Sequence, residues 1–429
     1  LTNLGCKLNQ AEVERLAREL LAAGHQVVPS LEEADLHVIN TCTVTHLAAR
    51  DSRKAAGRGA RVRTGLRTVV TGCWATEEPA EAARIAGVDL VVPNAEKHLL
   101  VEKIHAAFPE AAPPAGTDLP YLPLPVGHTR ALLKVEDGCN MRCSFCIIPS
   151  TRGRQRSRPL EDVVAEARGL AEAGFAEIVL TGVQISAYRD AGGRRLIDLV
   201  RAVLAATEMP RLRLTSIAPW DLDERLLSLW DDPRLCRHLH LSLQSGSTAT
   251  LRRMRRPYTA EAYGRLLERV RAAVPGVGIT TDVIVGFPGE NEDEFAESLA
   301  FTAAAAFAKV HAFTFSPREG TAAASLPDHV PPEVKKERMA RLLDAADAGE
   351  LAFRRAHLGT RATVLWERPR GGMGHGLTDN YLRVFSEAAA GLTRQLTEVE
   401  LVALTEGGVV GQLCSRSARD PRPDENASP

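Results

Sequence analysis

Residues 136–158 read EDGCNMRCSFCIIPSTRGRQRSR. Cys139, Cys143 and Cys146 stand in a C-x3-C-x2-C spacing, followed by Ile147-Ile148-Pro149 and by Arg152, Arg154, Arg156 and Arg158 at every second position. Three thiolates this close suit a soft metal centre. Zinc usually completes a set of four protein ligands, and no fourth stands nearby. On a four-iron cluster, three thiolates leave one iron open to an outside ligand, the arrangement a reactive centre needs. A structural zinc or packed free thiols is the alternative that the three cysteines alone leave open.

Outward from this loop, short apolar runs at 131–136, 176–180, 211–216, 238–243, 279–285 and 309–315 alternate with helical stretches at 160–173, 195–206, 222–230, 260–273, 291–306 and 332–355. Six such alternations predict a parallel sheet that curls into an open barrel, with the cysteine loop after its first strand. Strand ends carry polar or glycine residues: Gly182 and Gln184 after the second, Thr215-Ser216 after the third, Gln244 and Gly246 after the fourth, Gly286 after the fifth. Glycine there allows close backbone approach to a ligand, although each taken singly could simply make a turn. Arg252, Arg253, Arg255 and Arg256 lie beyond Gly246. With Arg152, Arg154 and Arg156 they are candidate phosphate contacts, since guanidinium pairs with phosphate oxygens. Arg158, before Pro159, is equally open to a structural role.

Residues 1–108 read as a smaller α/β domain, with strands at 35–40, 67–71 and 90–93 and helices at about 46–58, 77–86 and 95–107. Asn9 and Glu12 have the spacing of a reciprocal helix cap, ahead of the apolar stripe Val13, Leu16, Leu20 and Leu21. Cys6, Cys42 and Cys73 each fall at or just past the C-terminal end of a strand, the edge where open α/β sheets hold ligands. Converging there, they make a second three-thiolate site. Prolines 109, 113, 114, 120, 123 and 125 mark 109–128 as a linker of limited flexibility. Residues 129–356 then form the catalytic domain.

Helical periodicity stops near His357. Short strands at 363–367, 382–385, 396–402 and 409–413, divided by turns such as Gly371-Gly372-Met373-Gly374, predict a small β-barrel over 357–416, and 417–429 read as a disordered tail. The barrel has as many arginines as acidic residues. Arg368, Tyr381 and Arg383 are its candidates for stacking or phosphate contact, Tyr381 being equally readable as core.

The 429 residues, 45% hydrophobic and 25% charged, suffice for two or three globular domains. A net charge of −1 means that nucleic-acid binding must come from local patches. Eight cysteines in so long a chain are no disulfide scaffold and fit reduced, metal-binding use in a cytoplasm. No apolar run is long enough to span a membrane. The chain opens at Leu1 almost inside a strand, so a few native residues are expected before it.

The cysteine loop resembles that of the radical S-adenosylmethionine enzymes. Val135-Glu136-Asp137-Gly138-Cys139-Asn140, Ile147-Ile148-Pro149 and the Arg-Gly-Arg that follows resemble the methylthiotransferase branch. Leu4-Gly5-Cys6-Lys7-Leu8-Asn9-Gln10, Asn40-Thr41-Cys42-Thr43-Val44-Thr45 and Thr71-Gly72-Cys73 are similar to that family's auxiliary-cluster motifs. Leu377-Thr378-Asp379-Asn380-Tyr381-Leu382-Arg383-Val384 is similar to its C-terminal TRAM module, which binds RNA. The wording around Cys6 and Cys42 resembles the branch acting on N6-threonylcarbamoyladenosine in tRNA, whereas the isopentenyladenosine branch reads closer to Gly-Cys-Gln-Met-Asn.

The resemblance implies two [4Fe-4S] clusters, one on Cys139, Cys143 and Cys146 and one on Cys6, Cys42 and Cys73, together with S-adenosylmethionine near Gly182, Gln184, Ser216, Gln244, Asp282 and Gly286. It implies radical activation of C2 of the adenine 3′ of the anticodon, methylation of a sulfur on the second centre, and transfer. A flavodoxin or ferredoxin is the implied electron donor, and the sulfur donor is left open. One departure stands out: the family's Ser-Ile-Glu-Pro is Ser216-Ile217-Ala218-Pro219 here. Asp221 or Asp282 is the available replacement carboxylate. The alternatives are the same chemistry on isopentenyladenosine or on a ribosomal-protein aspartate, a radical enzyme of unrelated chemistry, and a non-catalytic RNA-binding metalloprotein.

Overall fold

The computed structural model of the chain describes residues 1–111 and 128–414. Pro109–Ala111 forms a 3-10 turn. The rest of the proline-rich stretch up to 127, and the predicted tail, lie outside the described residues. The chain divides into two units, Leu1–Phe353 and Arg354 onward.

The first unit opens with four strands, β1 (Thr2–Asn3), β2 (Leu36–Thr41), β3 (Arg67–Gly72) and β4 (Leu90–Val92), side by side in that order and all parallel. Parallel pairing demands crossover connections, so helices cover both faces. Alternate strand residues feed separate cores. Val38, Val69 and Val92 pack with Leu16, Leu20 and Ile104 on one side. Ile39 and Val70 pack with Ala49, Ala56 and Trp74 on the other.

Two local expectations are corrected here. The first helix is Lys7–Ala22, with Cys6 at its N-cap and no side-chain cap. The Asn9 amide instead donates to the Leu4 and Thr41 carbonyls at 2.7 and 3.0 Å, and Glu12 turns into a buried ion cluster. The helical stretch at 77–86 is two pieces, Cys73–Glu77 and Pro79–Arg84. Pro79 cannot continue a helix but can start one.

Next come β5 (Ala131–Lys134), a small antiparallel ribbon of β6 (Glu136–Asp137) and β7 (Arg156–Ser157), then β8 (Glu177–Thr181), β9 (Arg211–Leu214), β10 (His238–His240), β11 (Gly278–Val285) and β12 (Lys309–Thr314). β5-β8-β9 and β10-β11-β12 are parallel sheets, and parallel bridges Leu212–Leu235 and Ile217–Leu241 join them. Six parallel strands thus curl into the expected open partial barrel. Helices such as Leu160–Glu172, Ala260–Ala273 and Glu292–Ala305 lie outside it over the main apolar core. The stretch predicted helical at 222–230 is one α turn, Glu224–Leu227, and one 3-10 turn, Ser228–Asp231.

The two faces of this barrel differ by the strand period of two. Ala131, Leu133, Ile178 and Leu180 point to the outer helices. Leu132 and Val179 point inward and pack on Ala11 of the Lys7–Ala22 helix. The first helix of the chain therefore covers the inner face of the barrel's first half, carrying Cys6 and Lys7 with it.

The second unit holds a closed barrel of β13 (Arg361–Trp366), β14 (Gly374–Thr378), β15 (Arg383–Ser386), β16 (Leu396–Thr405) and β17 (Gly408–Leu413), in the order β13-β14-β15-β17-β16. This is the small barrel the sequence predicts, with one added strand. β14 begins where a turn was expected. Its Gly374-His375-Gly376 start lacks the β-branched or aromatic residues that mark a strand, yet all five of its residues are buried. Trp366 fills the interior and donates from Nε1 to Thr397 Oγ1 at 2.7 Å.

Candidate functional site

Cys42 and Cys73 follow the last residues of β2 and β3 directly, and Cys6 lies just past β1. Parallel order therefore brings all three to one sheet edge. Gly5 makes the approach possible: its φ is +98°, and a Cβ there would stand 2.7 Å from Cys42 Sγ. Cys6 is exposed while Cys42 and Cys73 are buried. Burial pushes the Cys42 thiol up to about 11, and the neighbouring Cys73 and Cys6 push it further in the same direction.

The second trio lies on the loop after β6. The Cys146 N–H donates to the Cys143 carbonyl at 3.2 Å, and the Met141 N–H reaches Cys139 Sγ at 3.4 Å. Burial raises the Cys146 thiol to about 12 and also raises that of Cys139, with the neighbouring cysteines adding to both. Among the described residues no three His, Cys, Asp or Glu side chains are grouped to grip a single ion. Three thiols that raise one another are poor ligands as free acids, but they suit a polynuclear centre that binds the thiolates and spans more space than one ion. Each donor set is soft, reduced and three-membered. By that chemistry the residues fit an iron–sulfur group.

Two short chains of contacts link the trios. Asn9 Oδ1 accepts from Cys6 Sγ at 3.7 Å and from Arg152 Nη2 at 2.5 Å. Asn94 Nδ2 donates to Cys73 Sγ at 3.7 Å and to the Thr151 carbonyl at 2.9 Å. Thr151 and Arg152 end the Ile148–Arg152 helix, which starts just past Cys146.

Arg152 was a candidate phosphate contact, and its burial contradicts that: its side chain is 1% exposed. Nη1 binds Glu12 at 2.9 Å and Asp137 at 3.0 Å. Lys134 bridges the same two carboxylates, and Lys97 reaches Glu12 at 2.8 Å. Burial raises the Glu12 carboxyl, but Lys97, Arg152 and Lys134 outweigh it and hold Glu12 well below the usual carboxylate range. Burial works against the Arg152 charge, yet Glu12, Cys73 and Asp137 keep it firmly cationic. The sequence held a signal for this cluster, charges at Glu12 and Lys134 inside otherwise apolar runs, which the capping pattern masked.

The remaining predicted positions divide. Gly182 lies where a Cβ would come within 2.6 Å of Glu136 Oε2. Its missing side chain makes room for that carboxylate, which accepts from the Val183 and Gln184 N–H groups at 2.8 and 3.0 Å. Burial lifts Glu136 to about 7. Gln184 Oε1 accepts from Cys139 Sγ at 3.8 Å, and its Nε2 donates to Asp221 at 2.9 Å. Asp221, beside the departure at Ala218, is thus tied to the central trio through Gln184. Ser216 and Gln244 take φ of 53° and 69°, conformations that favour glycine and cluster at working sites. Gly286, with φ of 73°, lies against the stem of Lys335. Asp282 accepts from Ser242 at 3.1 Å and stands 3.1 Å from His240 Nε2.

Arg154, Arg156, Arg252, Arg255 and Arg368 are exposed, while Tyr381 and Arg383 are half-buried. Arg158 binds Glu166 and the Lys134 carbonyl, which is the structural alternative. Arg256, the last of its run, reaches Cys143 Sγ at 3.4 Å and lies over the rings of Trp220 and Tyr258 at 4.8 and 5.3 Å. Sequence reasoning placed it among the phosphate contacts and missed this role.

A six-strand open parallel barrel with a C-x3-C-x2-C loop after its first strand defines a radical S-adenosylmethionine protein, here with a second cysteine-bearing sheet domain in front of it. Comparison with known proteins agrees. Residues 133–302 match the Radical SAM superfamily, and residues 1–93 match the uncharacterized protein family UPF0004. The chain is 35% identical over 419 residues to the threonylcarbamoyladenosine tRNA methylthiotransferase MtaB of Bacillus subtilis, covering 93% of this chain and 92% of that protein. It is 36% identical over 431 residues to the tRNA-2-methylthio-N(6)-dimethylallyladenosine synthase of Erythrobacter litoralis, covering 96% of each. It shares the fold of the radical S-adenosylmethionine methyltransferase TsrM from Kitasatospora setae, with a TM-score of 0.51 at 18% identity over 74% of this chain and 69% of that one. The chain belongs to the radical-SAM tRNA methylthiotransferase family, in its MtaB-type branch. No helix among the described residues is long and apolar enough to cross a membrane.

Proposed function

We propose that the protein methylthiolates C2 of N6-threonylcarbamoyladenosine beside the tRNA anticodon, with residues 1–108, 129–356 and 357–416 as auxiliary-centre, catalytic and RNA-binding domains. Cys139, Cys143 and Cys146 would hold one [4Fe-4S] cluster, and Cys6, Cys42 and Cys73 a second. When bound, such a pair supplies one electron to split S-adenosylmethionine, with the resulting 5′-deoxyadenosyl radical taking hydrogen from an aromatic carbon, and a site that carries sulfur. The observation that carries the reading is the linkage of the two trios through Asn9 to Arg152 and Asn94 to Thr151. Sulfur transfer needs both centres at one substrate.

The chain's own residues orient and exclude. Gln184, tied to both Cys139 and Asp221, fixes the strand end where the S-adenosylmethionine amino group is expected. Asp221 supplies the carboxylate that Ala218 lacks. Arg154, Arg156, Arg252 and Arg255, all exposed, offer guanidinium groups to RNA phosphate, and the barrel offers Arg368, Tyr381 and Arg383. A low-potential flavodoxin or ferredoxin would deliver the electron.

The named relatives of Bacillus subtilis and Chlamydia pneumoniae support threonylcarbamoyladenosine as substrate, as does the wording around Cys6. The isopentenyl nucleoside is the second reading, favoured by relatives of comparable identity that act on dimethylallyladenosine. Nucleoside analysis of tRNA from cells lacking the gene decides between them. Loss of the methylthio form of threonylcarbamoyladenosine, restored by the gene, is expected; loss confined to the methylthio isopentenyl form would overturn the assignment.

A further inference from the structure

The first helix covers the inner face of the barrel's first half, and the second half shows what the helix leaves open. On β11, Ile279, Val283 and Val285 face the outer helices. Thr280, Asp282 and Ile284 therefore face inward. Parallel register sets Asp282 beside His311 and Ile284 beside Phe313 on β12, and His240 beside Thr280 from β10. The His240 and His311 rings stand 5.9 Å apart over Asp282. His240 Nε2 lies 3.1 Å from Asp282 Oδ2, and its Nδ1 lies 3.0 Å from Thr280 Oγ1. His240 and Asp282 keep 21% and 25% of their side-chain surface open, and Phe313 is 43% exposed. A sheet face that served only as core would not carry this row.

Lys7 bears on the same wall. Partial burial lowers the His311 ring, Asp282 opposes this, and His240, Lys7 and Lys309 lower it further. The Lys7 ammonium is thus near enough to the row to act on it, and it also contributes to depressing the buried His238. Lys7 is one of the residues whose wording separates the threonylcarbamoyl branch from the isopentenyl branch. The two substituents differ physically: one ends in a carboxylate, a hydroxyl and urea N–H groups, the other is a branched hydrocarbon. An isopentenyl group would leave the Asp282–His240 pair desolvated without a partner.

We propose that Lys7, His240, Asp282 and His311 form the subsite for the anionic N6 substituent of the substrate nucleoside, with Phe313 as an aromatic platform beside it. Lys7 takes the carboxylate. Asp282, its charge already matched by His240, accepts from the hydroxyl or a urea N–H. This rests on the threonylcarbamoyl reading and assigns specificity to residues outside both cysteine sets.

The test uses the reconstituted full chain and two anticodon stem-loop RNAs, one carrying N6-threonylcarbamoyladenosine and one in which its carboxylate is a carboxamide. Wild type should show a KM about tenfold or more higher for the amide, the range expected for losing a charge-assisted hydrogen bond. Lys7→Gln should show that loss on the acid and little further loss on the amide, with unchanged iron and sulfide content. His311→Gln, remote in sequence from every cysteine, should shrink the acid-to-amide difference without lowering 5′-deoxyadenosine formation. If both variants lose equally on both RNAs, or wild type does not distinguish them, the subsite is overturned while the nucleoside assignment stands. If wild type forms no methylthio product from the acid RNA, the nucleoside assignment falls and the subsite with it.

Discussion

Arg152 Nη1 donates to Glu12 Oε1 at 2.9 Å, joining the segment that follows the central cysteine loop to the helix that carries Cys6. Both side chains are almost wholly withdrawn from water, and the same guanidinium touches Asn9, which also binds Cys6. A buried pair of this kind adds little stability over an apolar substitute, but it is costly to break and fixes one arrangement over others. Here the arrangement it fixes is the register of the two trios.

Removing the guanidinium should therefore strand two acids. Arg152→Ala leaves Glu12 and Asp137 buried without it, and should cost about 3–5 kcal/mol of stability. Denaturant unfolding of the purified protein measures this. Double substitution with Glu12→Gln should recover part of the loss, because the excess buried negative charge is then reduced. Equal instability of the single and double variants would contradict the pairing.

Glu14 gives a pH dependence of known sign. Burial raises its carboxyl from 4.5 to about 7, against opposing hydrogen bonding from Gln10 and the charge of Arg18. The folded protein then holds a proton that the unfolded chain has released, so stability falls as pH rises from about 4.5 to 7 and is flat above. Glu136, raised likewise, adds to the same slope. Glu14→Gln should remove its share and stabilise the protein at pH 8 by up to about 3 kcal/mol, while changing little at pH 4.5. Thermal melts at the two pH values test this, and an equal shift at both would count against it.

Arg256 stands 3.4 Å from Cys143 Sγ. A cation beside a thiolate ligand favours the more reduced, more negative state of the centre it binds. Arg256→Gln should move the midpoint potential of the central cluster to a more negative value, followed by electron paramagnetic resonance during a redox titration. Arg255→Gln, on an exposed neighbour, should leave the potential where it is and weaken RNA binding instead. Equal potentials for the Arg256 variant and wild type would remove the proposed role.

Much of this was legible in the sequence because it is periodic. The six strand–helix alternations and the placement of Cys6, Cys42 and Cys73 past strand ends follow from hydrophobic pattern and parallel topology. What escaped was set by tertiary contact. Asn9 and Glu12 have the spacing of a helix cap, but Arg152, Lys97 and Lys134 draw Glu12 inward. Arg152 and Arg154 look alike in a run of alternating arginines, and only the packed helix makes one buried and the other exposed. β14 begins Gly-His-Gly and carries little strand propensity, since barrel closure rather than side-chain preference holds it. The row of His240, Asp282 and His311 comes from three strands far apart in sequence, so no local pattern announces it.

The central claim is that two separate three-cysteine centres serve one reaction. Iron and sulfide content, read alongside product formation, tests it most directly in wild type, Cys42→Ala and Cys143→Ala reconstituted under the same conditions. Wild type should hold about eight irons per chain and each variant about four. Cys42→Ala should still cleave S-adenosylmethionine to 5′-deoxyadenosine but form no methylthio nucleoside, whereas Cys143→Ala should do neither. A wild-type chain holding a single zinc, or a Cys42→Ala variant that keeps full iron content and still methylthiolates its RNA, would contradict the claim.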